Sequence, residues 1–355
     1  MTTHPHHPAR ILDASANRAR EGLRVLEDAA RFLLDDRPLT EKLKGLRHEL
    51  NRLVQALPGS LLESSRAVES DEGRTVTAPG EFIRADASAV LRAASSRTSE
   101  SLRSLEEWSK TLRPDLAGEF EQLRYQTYQD SMTLITRLQR PDPQWRVCLL
   151  LSENACRTGW EQVLVGAIEG GVDCIQIREK ELSDDALLER VRQVVSIARP
   201  RDVSVVVNDR VDIALVAQAD GVHLGQGDLC LSEARDLAGE RLLIGVSSHN
   251  PTEAAEAIRG GCDLVGVGAI FPSQTKQGLA SSGLPLFERF LGDHPEFPHL
   301  AIGGVDLEGA TRLAQIGCQG VAVSAAICGA SDPESAARAI VNAINGRTVS
   351  SGTAS

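Results

Sequence analysis

Up to about Arg140, apolar positions along this chain recur at helical spacing, with Arg, Glu, Leu and Ser between them and no convincing strand-type alternation. From Arg146 onward short apolar runs alternate with amphipathic stretches. The runs predict strands near Val147 to Leu151, Cys174 to Ile177, Val203 to Val207, Gly221 to Leu224, Leu242 to Val246, Leu264 to Ala269, His299 to Ile302 and Gly320 to Val323. Helices are predicted between them, for example over Asp184 to Ala198, Thr252 to Arg259 and Leu307 to Ile316, and Gly170, Gly260 and Gly317 sit where helices should end. Alternating strands and helices imply a parallel sheet, and eight such units in about 200 residues fit a (β/α)8 TIM barrel better than an open doubly wound sheet. The change of rhythm falls at Pro141-Asp142-Pro143, a stiff, helix-breaking linker. The expected organisation is therefore α/β: an all-α helical domain over 1–140, a TIM-barrel domain over 141–348 and a short disordered tail over 349–355.

The helical region contains an internal duplication. Ile11 to Asp28 aligns without gaps on Val90 to Glu107, pairing Leu12 with Leu91, Arg18 with Arg97, Glu21 with Glu100, Arg24 with Arg103 and Glu27 with Glu106. Each copy continues into a second amphipathic stretch, Thr40 to Leu57 and Ala117 to Leu138, so a duplicated helical hairpin closing into one bundle is expected. Gly59 to Gly80 reads as the long connection between the copies. The duplicated Arg and Glu residues have two readings: a solvated face with intrahelical ion pairs, or an inward-facing polar network or anion site across a pseudo-twofold axis.

A length of 355 residues suits about two domains, and a formal charge of −11 argues against a nucleic-acid partner while leaving room for a locally basic pocket. Met1 to Arg10 resembles neither a signal peptide nor a membrane span, so a soluble, cytoplasmic protein without a membrane partner is expected. The seven cysteines show no CxxC pair and read as small buried hydrophobes.

Polar clusters stand at the ends of the apolar runs, where a barrel would gather them on one rim. Asp209 and Asp228 end neighbouring strands; they are either carboxylate ligands of Mg2+ or ordinary helix N-caps. Gln176, Arg178 and Lys180 face one side by period two, giving an anion clamp or a rim salt bridge with Glu179 or Glu181. Lys276, after Ser273 and Thr275, adds a cation and two hydroxyls, or is a polar turn. Gly303-Gly304 and Gly320 through Ser324 lie where barrels often hold a phosphate with backbone N–H groups. His223 reads as a satisfied core or rim histidine, and His249 as a residue near a substrate. No Ser-His-Asp order or HExxH is present.

The ordered set QIREK, NDR, DGVHLGQGD, IGVSSH, FPSQTK, AIGG and AVSAAI, over roughly Arg146 to Asn345, resembles the thiamine-phosphate synthase family. The resemblance implies condensation of 4-amino-2-methyl-5-hydroxymethylpyrimidine pyrophosphate with a thiazole phosphate carboxylate, releasing pyrophosphate and CO2. It implies that Gln176, Arg178, Lys180, Asn208 and Lys276 hold the pyrimidine pyrophosphate and that Asp209 and Asp228 hold Mg2+. By the same resemblance Ser247 lies beside the pyrimidine, while Ser273, Thr275, Gly304, Val323 and Ser324 bind the thiazole phosphate; Ser273 stands where the family commonly has Thr. Arg178, Lys180, Lys276 and Ser247 are the catalytic candidates. Related readings are a thiazole tautomerase-like barrel and a bifunctional protein, because the N-terminal region resembles a helical extension for which a pyrimidine phosphate kinase role has been suggested. No P-loop precedes Pro141. The expected partners are small-molecule substrates, with a homo-oligomer possible.

Overall fold

The computed structural model describes residues 6–58, 83–272 and 283–346, in two compact units, Met1–Gln139 and Arg140–Ser355. The expected connection Gly59 to Gly80, the tail over 349–355 and three candidate site residues, Ser273, Thr275 and Lys276, lie outside the described residues.

In the first unit, α1 (His6–Phe32) pairs with α2 (Arg37–Gln55), and α3 (Ala87–Ser109) with α4 (Ala117–Leu138). Sequence chemistry sets two starts: Asp36 accepts the Leu39 N–H at 3.0 Å and Asp86 accepts the Ala89 N–H at 2.6 Å, each capping its helix. The duplication is structural. Leu12 and Leu91, Leu23 and Leu102, and Leu26 and Leu105 are all buried in one core. Glu27 and its equivalent Glu106 are also buried, and each is met by an arginine from the second helix of its own hairpin: Arg47 Nε at 2.8 Å and Arg124 Nε at 3.1 Å. Burial pushes the Glu27 carboxyl up, but the hydrogen bond and charge of Arg47 outweigh it and hold it below the usual carboxylate range. Of the duplicated charges only Glu27 and Glu106 turn inward, and each is met within its own hairpin rather than across the twofold axis; Arg24 and Arg103 make the expected intrahelical pairs, and Arg18, Glu21, Arg97 and Glu100 are exposed. At Gly22, α1 and α3 approach so closely that a Cβ would stand 2.0 Å from Thr98 Oγ1.

In the second unit, eight parallel strands close in sequence order: β1 (Val147–Leu151), β2 (Cys174–Ile177), β3 (Ser204–Asn208), β4 (Gly221–Leu224), β5 (Leu243–Ser248), β6 (Leu264–Gly268), β7 (His299–Ile302) and β8 (Val321–Val323), with β8 pairing back on β1. Helices cover the ring: α5 (Trp160–Glu169), α6 (Asp184–Ala198), α7 (Val211–Val216), α8 (Leu231–Ala238), α9 (Pro251–Arg259), α10 (Gly283–Asp293), α11 (Leu307–Gln315), α12 (Ala325–Cys328) and α13 (Pro333–Ile344). Alternation divides each strand. Outward residues such as Leu149, Ile175, Val205 and Val323 join the core under the helices, and inward residues such as Cys148, Cys174, Val206 and Leu243 pack the interior with Trp145. At the N-terminal ends of the strands three turn aspartates tie neighbours together. Asp173 accepts from Arg146 and Val147 N–H, Asp220 from Val205 N–H and Asp263 from Ile244 N–H, at 2.7–3.1 Å.

Two stability effects follow. Thr98 is fully buried and stiff at χ1, so Gly22→Ala should destabilise the protein by about 1–3 kcal/mol, and Thr98→Ala should recover most of that loss in a double-mutant cycle read by denaturant unfolding. Asp220→Ala leaves the Val205 N–H without its acceptor and should cost about 1–3 kcal/mol in the same measurement.

Candidate active site

Inward alternation carries the interior from apolar to polar toward the C-terminal ends of the strands. Gln176, Asn208, His223 and Ser247 line a cavity of about 560 Å³ there, together with Arg178 and, from the opposite edge, Gly303, Gly304 and Ser324. The His223 ring fits because β5 and β6 have glycines beside it: a Cβ at Gly245 would stand 2.5 Å from Nδ1, and one at Gly266 would stand 3.0 Å from Cε1. Held there, His223 Nε2 is 3.0 Å from Ser247 Oγ, and Gln226 Nε2 donates to the Ser247 carbonyl at 2.6 Å. Ser247 is thus fixed from two sides. His249, which also lines the cavity, has its Nδ1 3.1 Å from Glu253 Oε2.

Asp209 follows β3 directly with φ +65°, a left-handed conformation that costs free energy at a non-glycine residue. Its N–H donates to the His223 carbonyl at 2.9 Å. Asp228 Oδ2 accepts the Gly225 N–H at 2.7 Å. Neither acid caps a helix, since the N-cap residues of α7 and α8 are Arg210 and Cys230. Instead the two carboxyl groups meet. Burial first, and then the hydrogen bond and charge of Asp228, push Asp209 up to about 6, against the opposing pull of Lys180 and Arg178. Two carboxylates in contact need a proton or a cation between them. The donor set, two acids and no cluster of three or more His, Cys, Asp or Glu among the described residues, suits an ion such as Mg2+ that keeps water and takes substrate oxygens.

Arg178 and Lys180 make no ion pair or side-chain hydrogen bond among the described residues. The salt-bridge reading fails because Glu179 points the other way by alternation. There it accepts the Glu153 N–H at 2.8 Å and Arg190 Nη1 at 3.0 Å, while Glu181 accepts from Asn154 at 3.1 Å. Arg190 lies 4.1 Å over the Trp160 ring. Glu179 therefore anchors the loop after β2 and leaves the two cations facing the acids. Sequence reasoning missed this role; the charge alternation Arg178-Glu179-Lys180 was the available signal.

On the far edge, Gly303 and Gly304 have φ +99° and +60°, and a Cβ on Gly304 would stand 2.3 Å from the Pro272 carbonyl oxygen. Ser324 Oγ donates to the Leu150 carbonyl at 3.0 Å, and Ala325 and Ala326 at the start of α12 line the cavity. Val323, as the outward member of β8, has its side chain buried under the helices and away from the cavity, which leaves its backbone, the group expected to serve a phosphate there.

A family model described as thiamine monophosphate synthase matches residues 147–327, and one described as the ThiD2 family matches residues 10–132. The thiamine-phosphate synthase of Synechococcus sp. is 36% identical over 344 residues, covering 95% of this chain and 96% of the relative. That of Rhodopirellula baltica is 36% identical over 328 residues, covering 90% and 88%. Among solved structures, thiamine phosphate pyrophosphorylase from Pyrococcus furiosus superposes with a TM-score of 0.53 at 29% identity, over 58% of this chain and 98% of that one.

The facing acids set a direction for stability. An acid whose folded pKa is raised contributes stability that is present below its free value, 3.8, and is lost as the pH rises through about 6. Without divalent cations, Asp209→Asn should therefore raise stability at pH 7 to 8, by on the order of 1 kcal/mol after solvent screening. Mg2+ should raise the melting temperature of the parent protein and leave that of Asp209→Asn unchanged, as read by thermal unfolding with and without chelator.

Proposed function

This chain belongs to the thiamine-phosphate synthase family, and from that membership and the rim geometry we propose that it joins an aminopyrimidine methyl pyrophosphate to a thiazole phosphate, giving thiamine phosphate and pyrophosphate. The observation that supports it most is the meeting of Asp209 and Asp228 within reach of the charges of Arg178 and Lys180, next to a cavity lined by Arg178 and Asn208 on one edge and Gly304 and Ser324 on the other; Asp209, Asp228 and Lys180 themselves are not among its lining residues. One edge suits a diphosphate and the other a monophosphate.

The C–O bond between the pyrimidine methylene and the pyrophosphate breaks with its electron pair leaving on oxygen. That step is limited by the charge developing on the leaving group. Arg178 and Lys180 are not tied up in an ion pair or side-chain hydrogen bond among the described residues, so they are assigned to stabilising that charge, with Lys276 given the same task. Asp209 and Asp228 would hold Mg2+, which supplies Lewis-acid neutralisation of the diphosphate when bound. The electron-rich aminopyrimidine disperses the positive charge left on carbon, and Ser247, fixed by His223 and Gln226, is assigned to the ring. The thiazole nitrogen lone pair then forms the C–N bond, and a carboxylated thiazole loses CO2 as the C–C pair returns to its ring. Positioning accounts for this second step, because the nitrogen is already a nucleophile. Gln176 and Asn208 orient the pyrimidine pyrophosphate; Ser273, Thr275, Gly304, Ser324 and the Val323 backbone hold the thiazole phosphate.

The reading assigns this chemistry to the barrel, 141–348, and leaves the helical domain, 1–140, outside it. It belongs to a cytoplasmic enzyme of small molecules, and no helix among the described residues is long and apolar enough to cross a membrane. The test is pyrophosphate release by full-length protein with each substrate omitted in turn. Release should require both substrates and Mg2+, and should fall by about 10²–10³-fold in Arg178→Gln and at least as far in Asp209→Ala. Release without the thiazole, or unimpaired in Asp209→Ala, overturns the assignment.

A further inference from the structure

The reading of the cysteines as small buried hydrophobes holds for Cys148, Cys174, Cys262, Cys318 and Cys328, whereas Cys230 is exposed and Cys156 is half-buried. Four of them meet in pairs. Cys148 and Cys174 stand in register on β1 and β2, with their thiols hydrogen-bonded to each other. Cys156 and Cys328 form a second thiol pair, which joins the turn after β1 to the end of α12. There the Arg157 N–H donates to the Cys328 carbonyl at 2.9 Å, so the two backbones run side by side, as closure of a disulfide requires.

The pairs differ in reactivity. Cys174 is fully buried in the barrel interior, and burial first, then the hydrogen bond of Cys148, push its thiol well above the usual value. Such a thiol is inert. In the second pair the hydrogen bond of Cys156 pulls Cys328 down against the opposing effect of burial, and the same bond pushes Cys156 up. One member is prone to ionise while the other, half-buried, keeps its proton and meets solvent, a division that suits an attacking and a resolving cysteine. The pair also stands in the wall of the barrel cavity. The Cys328 thiol and the Ser324 hydroxyl share the Leu150 carbonyl, at 3.7 and 3.0 Å, and the Cys156 thiol donates to the Ser152 carbonyl at 3.3 Å. Ser152, Ala155 and Ser324 line the cavity.

We propose that Cys156 and Cys328 are a peroxide-sensitive modification site, which closes to a disulfide and shifts the edge of the cavity where Ser324 stands. The Cys328 thiolate attacks one oxygen of hydrogen peroxide and the O–O bond breaks; the hydroxide released takes up the thiol proton as water. Cys156 then attacks the sulfenic sulfur, the S–O bond breaks and the oxygen leaves with the Cys156 proton as a second water. Two electrons pass from the sulfurs to the peroxide, and a dithiol reductant returns them. The disulfide removes the thiol donor from the Leu150 carbonyl and ties Ser152 through Cys156 to α12. Its effect on thiazole phosphate rests on the function proposed above, whereas the oxidation itself does not.

Full-length protein is treated with stoichiometric hydrogen peroxide, alkylated and mapped by peptide mass spectrometry. A Cys156–Cys328 linked peptide should form about tenfold faster than any oxidation at exposed Cys230 or buried Cys148 and Cys174, and dithiothreitol should remove it. No linked peptide, linkage of other cysteines, or oxidation of Cys230 at the same rate overturns the site. In the oxidised protein the KM for thiazole phosphate should rise about threefold or more and recover on reduction. Cys156→Ser, which keeps a hydroxyl for the Ser152 carbonyl, should hold the reduced KM with or without peroxide. An unchanged KM in fully linked protein, or a parent-like peroxide response in Cys156→Ser, overturns the coupling to the cavity. Reduced protein that releases no pyrophosphate overturns the proposed reaction instead, and the mass map decides the disulfide independently, even where the variant misfolds.

Discussion

A closed ring of parallel strands gives every second side chain one direction, inward, and the chemistry of the barrel rests on that constraint. Near the bottom the inward positions are filled by Cys148, Cys174, Val206 and Leu243. Two residues further along the same strands they are Leu150, Gln176, Asn208 and Gly245, with His223 opposite Asn208 in register. A slip of one residue in β4 would send His223 under the helices and Val222 into the cavity. Gly245 and Gly266 show the same constraint from the other side, since the imidazole can cross the interior only where its neighbours have no side chain.

Aspartate has two fates in this barrel, separated by partners rather than by sequence type. Asp173, Asp220 and Asp263 precede β2, β4 and β6, and their oxygens accept backbone N–H groups of the strand alongside, so each is satisfied by the fold itself. Asp209 and Asp228 stand beyond the opposite ends of β3 and β4 and face each other, with Asp209 in a left-handed conformation. Strain and mutual repulsion at one point are costs that folding alone does not require. A bound cation would remove the repulsion.

Much of this was legible in the sequence because parallel strands, buried on both faces, read as apolar runs; β3, expected over Val203 to Val207, is Ser204–Asn208, and β5, expected over Leu242 to Val246, is Leu243–Ser248. The rim motifs marked Asp209, Asp228, Arg178 and Lys180, but not that Glu179 is drawn away by Arg190, a partner eleven residues on. In the helical unit a three-residue charge step could not separate Glu27, buried, from Glu21, exposed. Six residues at 100° each turn the helix 240° beyond a full turn, and Arg47, which meets Glu27, comes from another helix.

The duplication shows which features a twofold bundle keeps and which it breaks. The ion pairs Glu27–Arg47 and Glu106–Arg124 recur in both halves because each hairpin buries one carboxylate and must compensate it; removal of either arginine would leave that carboxylate its half-exposed partner on its own helix, Arg24 or Arg103. At the crossing of α1 and α3 the copies differ: Gly22 corresponds to Ser101, whose hydroxyl donates to the Arg97 carbonyl within its own helix. Close approach at Gly22 requires the absence of a side chain on one helix only, so symmetry there can be lost without cost.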